Sequence, residues 1–187
     1  MKQRLKISVL LTFLLFCIGQ NSQAQKKIQS TFSWATFTLP TTVRQLINGL
    51  GNYTKFQPCL FDEDCDAGST YEWKLSNGLV VDGNAMKVSG PKVKASTLHA
   101  IEFIELYARK GAIVNNLLFQ LSLNKSSLTE CKKKFNLKKS TIPNTWKFLQ
   151  GNISTYLYFD DNGVLYQIGQ YPFDRDWNVD PLIKVAN

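Results

Sequence analysis

Few groups in this chain are placed to do chemistry, and many of them fall in one short stretch. Residues 57–68 carry Cys59 and Cys65 with Asp62, Glu63, Asp64 and Asp66 between and beside them. Two cysteines this close in an exported chain point first to a disulfide between Cys59 and Cys65. So small a ring would contribute about 2 kcal/mol at most. Two free thiols, or a pairing with Cys131, are the alternatives. Asp62, Asp64 and Asp66 stand at positions 1, 3 and 5, as in a calcium loop. The turn glycine, Gly68, comes one place late, however, and position 12 is Trp73 instead of a bidentate Glu. An acidic, solvated loop describes the stretch better than a metal site, and no metal is expected.

The other concentration of charge is basic. Lys132, Lys133 and Lys134, followed by Lys138 and Lys139, form the strongest lysine run. If this run is helical with Leu128, Cys131 and Phe135 on the apolar side, the lysines take the wet side, and Cys131 is a buried thiol. His99 is the single histidine, which rules out multi-histidine metal sites and two-histidine mechanisms. There is no nucleophile elbow, phosphate loop or dinucleotide fingerprint. Glu102 and Glu105 alternate on a strand and would point to opposite sides, a poor glycosidase pair. Neither a catalytic residue nor a cofactor emerges, and an enzyme is not expected.

The 187 residues have a formal net charge of +8. Residues 1–24 read as a secretory signal peptide. Lys2, Arg4 and Lys6 make the positive start, residues 7–18 the apolar centre, and Ser22-Gln23-Ala24 the cleavage site. The apolar run is too short to span a bilayer, and no other segment could. Losing three cations leaves +5 (8 minus 3), a mild basicity. With Arg44, Arg109 and Arg175 as the remaining arginines, a nucleic-acid partner is not expected. A secreted or periplasmic destination is.

The elements that must position these groups repeat. At an offset of 85, Tyr71 falls on Tyr156, Asn77-Gly78 on Asn162-Gly163, Pro58 on Pro143 and Thr42 on Ser127. Thr42 caps a helix with Gln45 completing a capping box, and Val43, Leu46, Ile47 and Leu50 make one apolar stripe. Asn77-Gly78 turns a hairpin. With Ser76-Asn77-Gly78 as a three-residue loop, Tyr71, Trp73, Leu75, Leu79 and Val81 share one side, and Glu72, Lys74 and Asp82 the other. Extended segments are expected over 30–39, 100–107 and 116–123.

The same parity in the second hairpin puts Tyr156, Tyr158, Val164, Tyr166 and Ile168 in the core. It leaves Leu157, Phe159 and Leu165 as an apolar patch on the opposite side. Such a patch needs a cover, either the chain's own tail with Tyr171, Phe173 and Trp177 or another protein.

The helix from Thr42 through Leu46 and Leu50, then Tyr71-Glu72-Trp73 and Asn77-Gly78, repeats as Ser127 to Phe135, Tyr156 to Phe159 and Asn162-Gly163. This pattern resembles the helix-then-hairpin module of the BamE (SmpA/OmlA)-like and β-lactamase-inhibitor-protein-like group. The resemblance implies an exported bacterial module, present in tandem in the inhibitor.

The expected fold is α+β. Tandem helix-then-antiparallel-hairpin units, residues 25–110 and 111–187, would build an antiparallel sheet with helices on one face. The expected function is non-enzymatic binding or inhibition of another exported or envelope protein, with Leu157, Phe159 and Leu165 at the contact. The alternative is an envelope-assembly or structural protein that meets anionic lipid or glycan through its lysine-rich helix face.

Overall fold

The computed structural model describes residues 33–59, 68–90, 92–172 and 174–175. The signal-peptide reading, Cys65, the acidic residues 62–66, Phe173 and Trp177 lie outside these.

The described residues build one antiparallel sheet of eight strands: β2 (Lys55–Gln57), β3 (Ser69–Lys74), β4 (Leu79–Ala85), β6 (Phe103–Ala108), β7 (Lys138–Lys139), β8 (Thr145–Gln150), β9 (Ile153–Phe159) and β10 (Leu165–Tyr171). Their order across the sheet is β2-β3-β4-β6-β10-β9-β8-β7. A second, two-strand sheet pairs β1 (Thr41–Thr42) with β5 (Ala100–Ile101). Two short α-helices, Val43–Leu50 and Leu128–Lys134, complete the regular structure with 3-10 turns at Trp34–Thr36 and Leu118–Gln120. The chain is therefore mostly β. The expected tandem α+β arrangement is overturned.

The local expectations fared better than the assembly. Both helices begin with a full capping box, Thr42 with Gln45 and Ser127 with Glu130. The first hairpin closes with the Leu75 N–H donating to the Leu79 carbonyl at 2.8 Å, around the three-residue loop Ser76-Asn77-Gly78. Gly78 takes φ +89° there, a region open to glycine. The second hairpin closes in the same way, from the Asp160 N–H to the Val164 carbonyl at 2.9 Å.

The strand neighbours explain why these units do not repeat in space. All strand pairings of the eight-strand sheet are antiparallel, so β3 and β9 run the same way, as do β4 and β10. Yet the lateral order is β3-β4 on one side and β10-β9 on the other. The hairpins are thus related by a half-turn about an axis along the strands, which turns one of them over. Both helices nevertheless pack on the same side of the sheet, through Val43, Leu46, Leu50 and Cys131. The second hairpin is inverted relative to its helix.

One core follows from this. Trp73, Leu79, Val81, Ile104, Leu106, Leu157, Leu165 and Ile168 share the helix side and are all fully buried. The Trp73 indole N–H donates to the Gly51 carbonyl at 2.9 Å and ties the end of the first helix to the sheet. A smaller cluster of Phe103, Tyr156, Tyr158 and Tyr171 lies on the other, helix-free side.

Three extended segments need amendment. Residues 33–39 hold a 3-10 turn capped by Ser33 instead of a strand. Residues 116–123 hold another 3-10 turn and one isolated bridge, Val114 to Leu123. Asn116, Phe119, Gln120 and Asn124 all take positive φ there, which no strand admits. The segment over 100–107 is extended, broken at Glu102 into β5 and β6.

Candidate functional site

Leu157, Phe159 and Leu165 are 0%, 2% and 0% exposed, inside the main core and without surface to offer. Tyr156 and Tyr158, expected in that core, face the helix-free side instead. The inversion of the second hairpin is the physical reason, since parity carried over from the first then names the wrong side, while Ile168, expected in the core, does lie there because a bulge between Leu165 and Gln167 shifts the register. The tail does reach the helix-free side. Tyr171 packs in its cluster, Asp174 meets Lys147 Nζ at 2.7 Å, and Arg175 Nη1 donates to the Tyr171 and Tyr158 hydroxyls at 2.7 and 2.9 Å.

Cys59 is buried, and its N–H donates to Ser69 Oγ at 3.1 Å. Its pairing with Cys65 stays a proposal. Cys131 is buried and free, and burial pushes its thiol up to about 11. His99 is occupied structurally, with Nδ1 2.7 Å from the Tyr71 hydroxyl, which also accepts from the Ser96 N–H at 2.8 Å. Lys132, Lys133 and Lys134 are exposed in the last turn of the second helix, where cations suit the helix dipole. Lys132 Nζ sits 3.9 Å above the Trp146 ring, and Lys138 and Lys139 form the edge strand β7.

The helix-free side holds an arrangement that only the assembled sheet reveals. One register row crosses all eight strands: Lys55, Glu72, Asp82, Glu105, Gly169, Tyr156, Lys147 and Lys138 are successive Cα partners. Three carboxylates on three neighbouring strands therefore stand side by side. Like charges directly opposite one another are destabilising, so this grouping costs stability. Lys74 lies 2.9 Å from Glu72, and Arg175 lies 3.4 Å from Glu105. Asp82 accepts from the Tyr107 hydroxyl at 3.1 Å. Desolvation chiefly, with Glu72 and Glu105 adding, pushes the Asp82 carboxyl up to about 6 against the lowering effect of Tyr107. The Tyr107 phenol is held well above its ordinary range by burial and by Asp82.

Chemically, such a row can hold a cationic group or exchange a proton near pH 6 at Asp82. Among the described residues no three His, Cys, Asp or Glu side chains converge closely enough to hold a metal ion. The face of Glu72, Lys74 and Asp82 was legible in the first hairpin's alternation. Glu105 was not, because nothing in the sequence places β6 beside β4.

On the helix side, a groove of about 700 Å³ opens between residues 34–39, the 3-10 turn at Leu118–Gln120 and the β8–β9 turn. Phe119 and Gln120, both at φ +59°, line it. A left-handed conformation costs a residue with a Cβ roughly 1–2 kcal/mol.

Comparison with protein-family models, with curated proteins and with solved structures found no match. The likeness to BamE-like and inhibitor-like modules rests on the residue pattern alone. No helix among the described residues is long and apolar enough to cross a membrane.

Proposed function

We propose that the chain is an exported, non-catalytic binding protein whose contact surface is the helix-free side of the sheet. The carrying observation is the row Glu72, Asp82 and Glu105 on adjacent strands, with Tyr107 bonded to Asp82 and Tyr166, which is 42% exposed, beside Tyr158 on the same side. A protein of net positive charge has gathered three acids where they oppose folding. Such local cost is characteristic of surfaces kept for a partner. The partner this suits is a cationic segment of another exported or envelope protein, with the tyrosines supplying contact area.

The test places a photo-crosslinking residue at Tyr166 in the mature protein and exposes it to native envelope and culture fluid. A single stoichiometric partner, weakened by salt and lost in Asp82→Asn with Glu72→Gln, supports the reading. Crosslinks that the double substitution leaves undiminished, or none at all, overturn it.

A second reading has its own observation. Lys132, Lys133, Lys138 and Lys139 are all exposed on the second helix and the edge strand that follows it. Contact with anionic lipid or polysaccharide through them predicts salt-sensitive binding to anionic vesicles or acidic glycan, abolished when these lysines become glutamine. Binding that survives their removal excludes it.

A further inference from the structure

Each carboxylate of the row has a companion, and one companion comes from outside the sheet. Glu72 is paired with Lys74, two residues along the same strand, and Asp82 with the Tyr107 hydroxyl. Glu105 accepts instead from the Tyr171 hydroxyl, with Arg175 Nη1 3.4 Å away. Arg175 stands four residues past the end of β10. Its guanidinium carbon lies 4.8 Å from the centre of the Tyr171 ring, and the same Nη1 donates to the Tyr171 and Tyr158 hydroxyls. A cation over a ring and against a carboxylate is how an arginine of a partner would be held there.

The residue before it supplies an independent observation. Asp174 meets Lys147 Nζ at 2.7 Å and accepts from the Tyr156 hydroxyl. Glu105, Gly169, Tyr156 and Lys147 are successive positions of the register row, on β6, β10, β9 and β8. Two neighbouring tail residues therefore grip the row at both ends of this stretch, each meeting the charge opposite to its own. Both pairs are partly open to water, with side-chain exposures of 16% and 34% for Lys147 and Asp174 and 38% and 25% for Arg175 and Glu105. Ion pairs of this kind are individually weak, so the grip can open while the strands stay paired.

We propose that Asp174 and Arg175 form an autoinhibitory clasp, in which Arg175 occupies the Glu105 end of the carboxylate row and must be displaced before the row takes a cationic segment of a partner. The inference rests on the reading of this side as the contact surface. A tethered occupant competes at high effective concentration, so the self-occupied fraction lowers the affinity that a partner experiences. Release of either anchor raises it. The Asp174 arm carries the discriminating sign. Its loss removes a negative charge, which by charge alone weakens a cationic ligand, whereas opening of the clasp strengthens it.

A fluorescent peptide of alternating arginine and serine, titrated at low salt against the mature protein and read by anisotropy, tests this. The parent should bind weakly, and Asp174→Asn and Arg175→Gln about tenfold more tightly, as when roughly nine molecules in ten are self-occupied. Both substitutions lie beyond β10, so circular dichroism should show the parent fold in each. Asp174→Asn binding as the parent does, or more weakly, overturns the clasp and leaves the contact surface standing. Binding that Glu72→Gln with Asp82→Asn leaves undiminished, or no binding by parent and variants alike, overturns the contact surface, and the clasp with it.

Discussion

The phenol ring of Tyr171 lies across the backbone of Gly169, two residues back on the same strand. A Cβ built at Gly169 would stand 2.6 Å from Tyr171 Cε2 and 2.7 Å from its hydroxyl oxygen. Because that space is empty, the hydroxyl reaches the Glu105 carboxylate, to which it donates. Arg175 then donates to the same phenol, and the start of the tail is seated. Gly169→Ala forces either the ring or the strand to move, an overpacking cost of about 1–3 kcal/mol. Chemical denaturation should show the loss, together with faster proteolysis beyond Tyr171.

Asp82 gives the molecule a defined pH dependence. Its carboxyl is raised from 3.8 to about 6, so the neutral form is favoured in the folded state. The associated stability is fully present below about 4 and is lost as pH rises through about 6. Asp82→Asn should flatten the stability profile across that window. Tyr107→Phe removes a lowering hydrogen bond and should move the Asp82 midpoint higher, read by carboxyl-carbon NMR.

The two helices depend on their first residues. Thr42→Ala and Ser127→Ala each remove the cap that accepts from the third helical N–H, at 3.2 Å in both. Each should cost about 1 kcal/mol in denaturant unfolding. Glu130 reciprocates in the second cap, and hydrogen bonds from Ser127 hold its carboxyl below the ordinary range. That contribution is present above the usual carboxylate pKa and disappears as pH falls, opposite in sign to Asp82.

Cys131 offers a reporter of unfolding. Its thiol is fully buried and pushed up to about 11 by desolvation first. Alkylation under native conditions should therefore be slow at pH 8 and track global opening. Rapid labelling of Cys131 in the folded protein would contradict its placement on the buried face of the second helix.

Local structure was readable in this chain where a few adjacent residues decide it. Thr42 with Gln45, Ser127 with Glu130, and Ser76-Asn77-Gly78 each determine a cap or a turn within five residues. The side of the sheet that a residue faces is decided elsewhere. Leu157 is buried because β9 joins the sheet beyond β10, with its hairpin turned over, a relation between strands far apart in sequence. Strand β8 shows no alternation strong enough to announce it, since Trp146, Lys147 and Phe148 are all half-buried. The carboxylate row was half-visible for the same reason. Glu72 and Asp82 meet within one hairpin, whereas Glu105 arrives through a separate connection.

The transverse row that runs from Lys55 to Lys138 ends in a lysine at each margin of the sheet. Strand β7 is nothing but Lys138 and Lys139, and both are exposed. A second copy sliding in edgewise would have to set ammonium against ammonium before any main-chain bond could form. Lateral zipping of this sheet into ribbons is thereby discouraged at both rims.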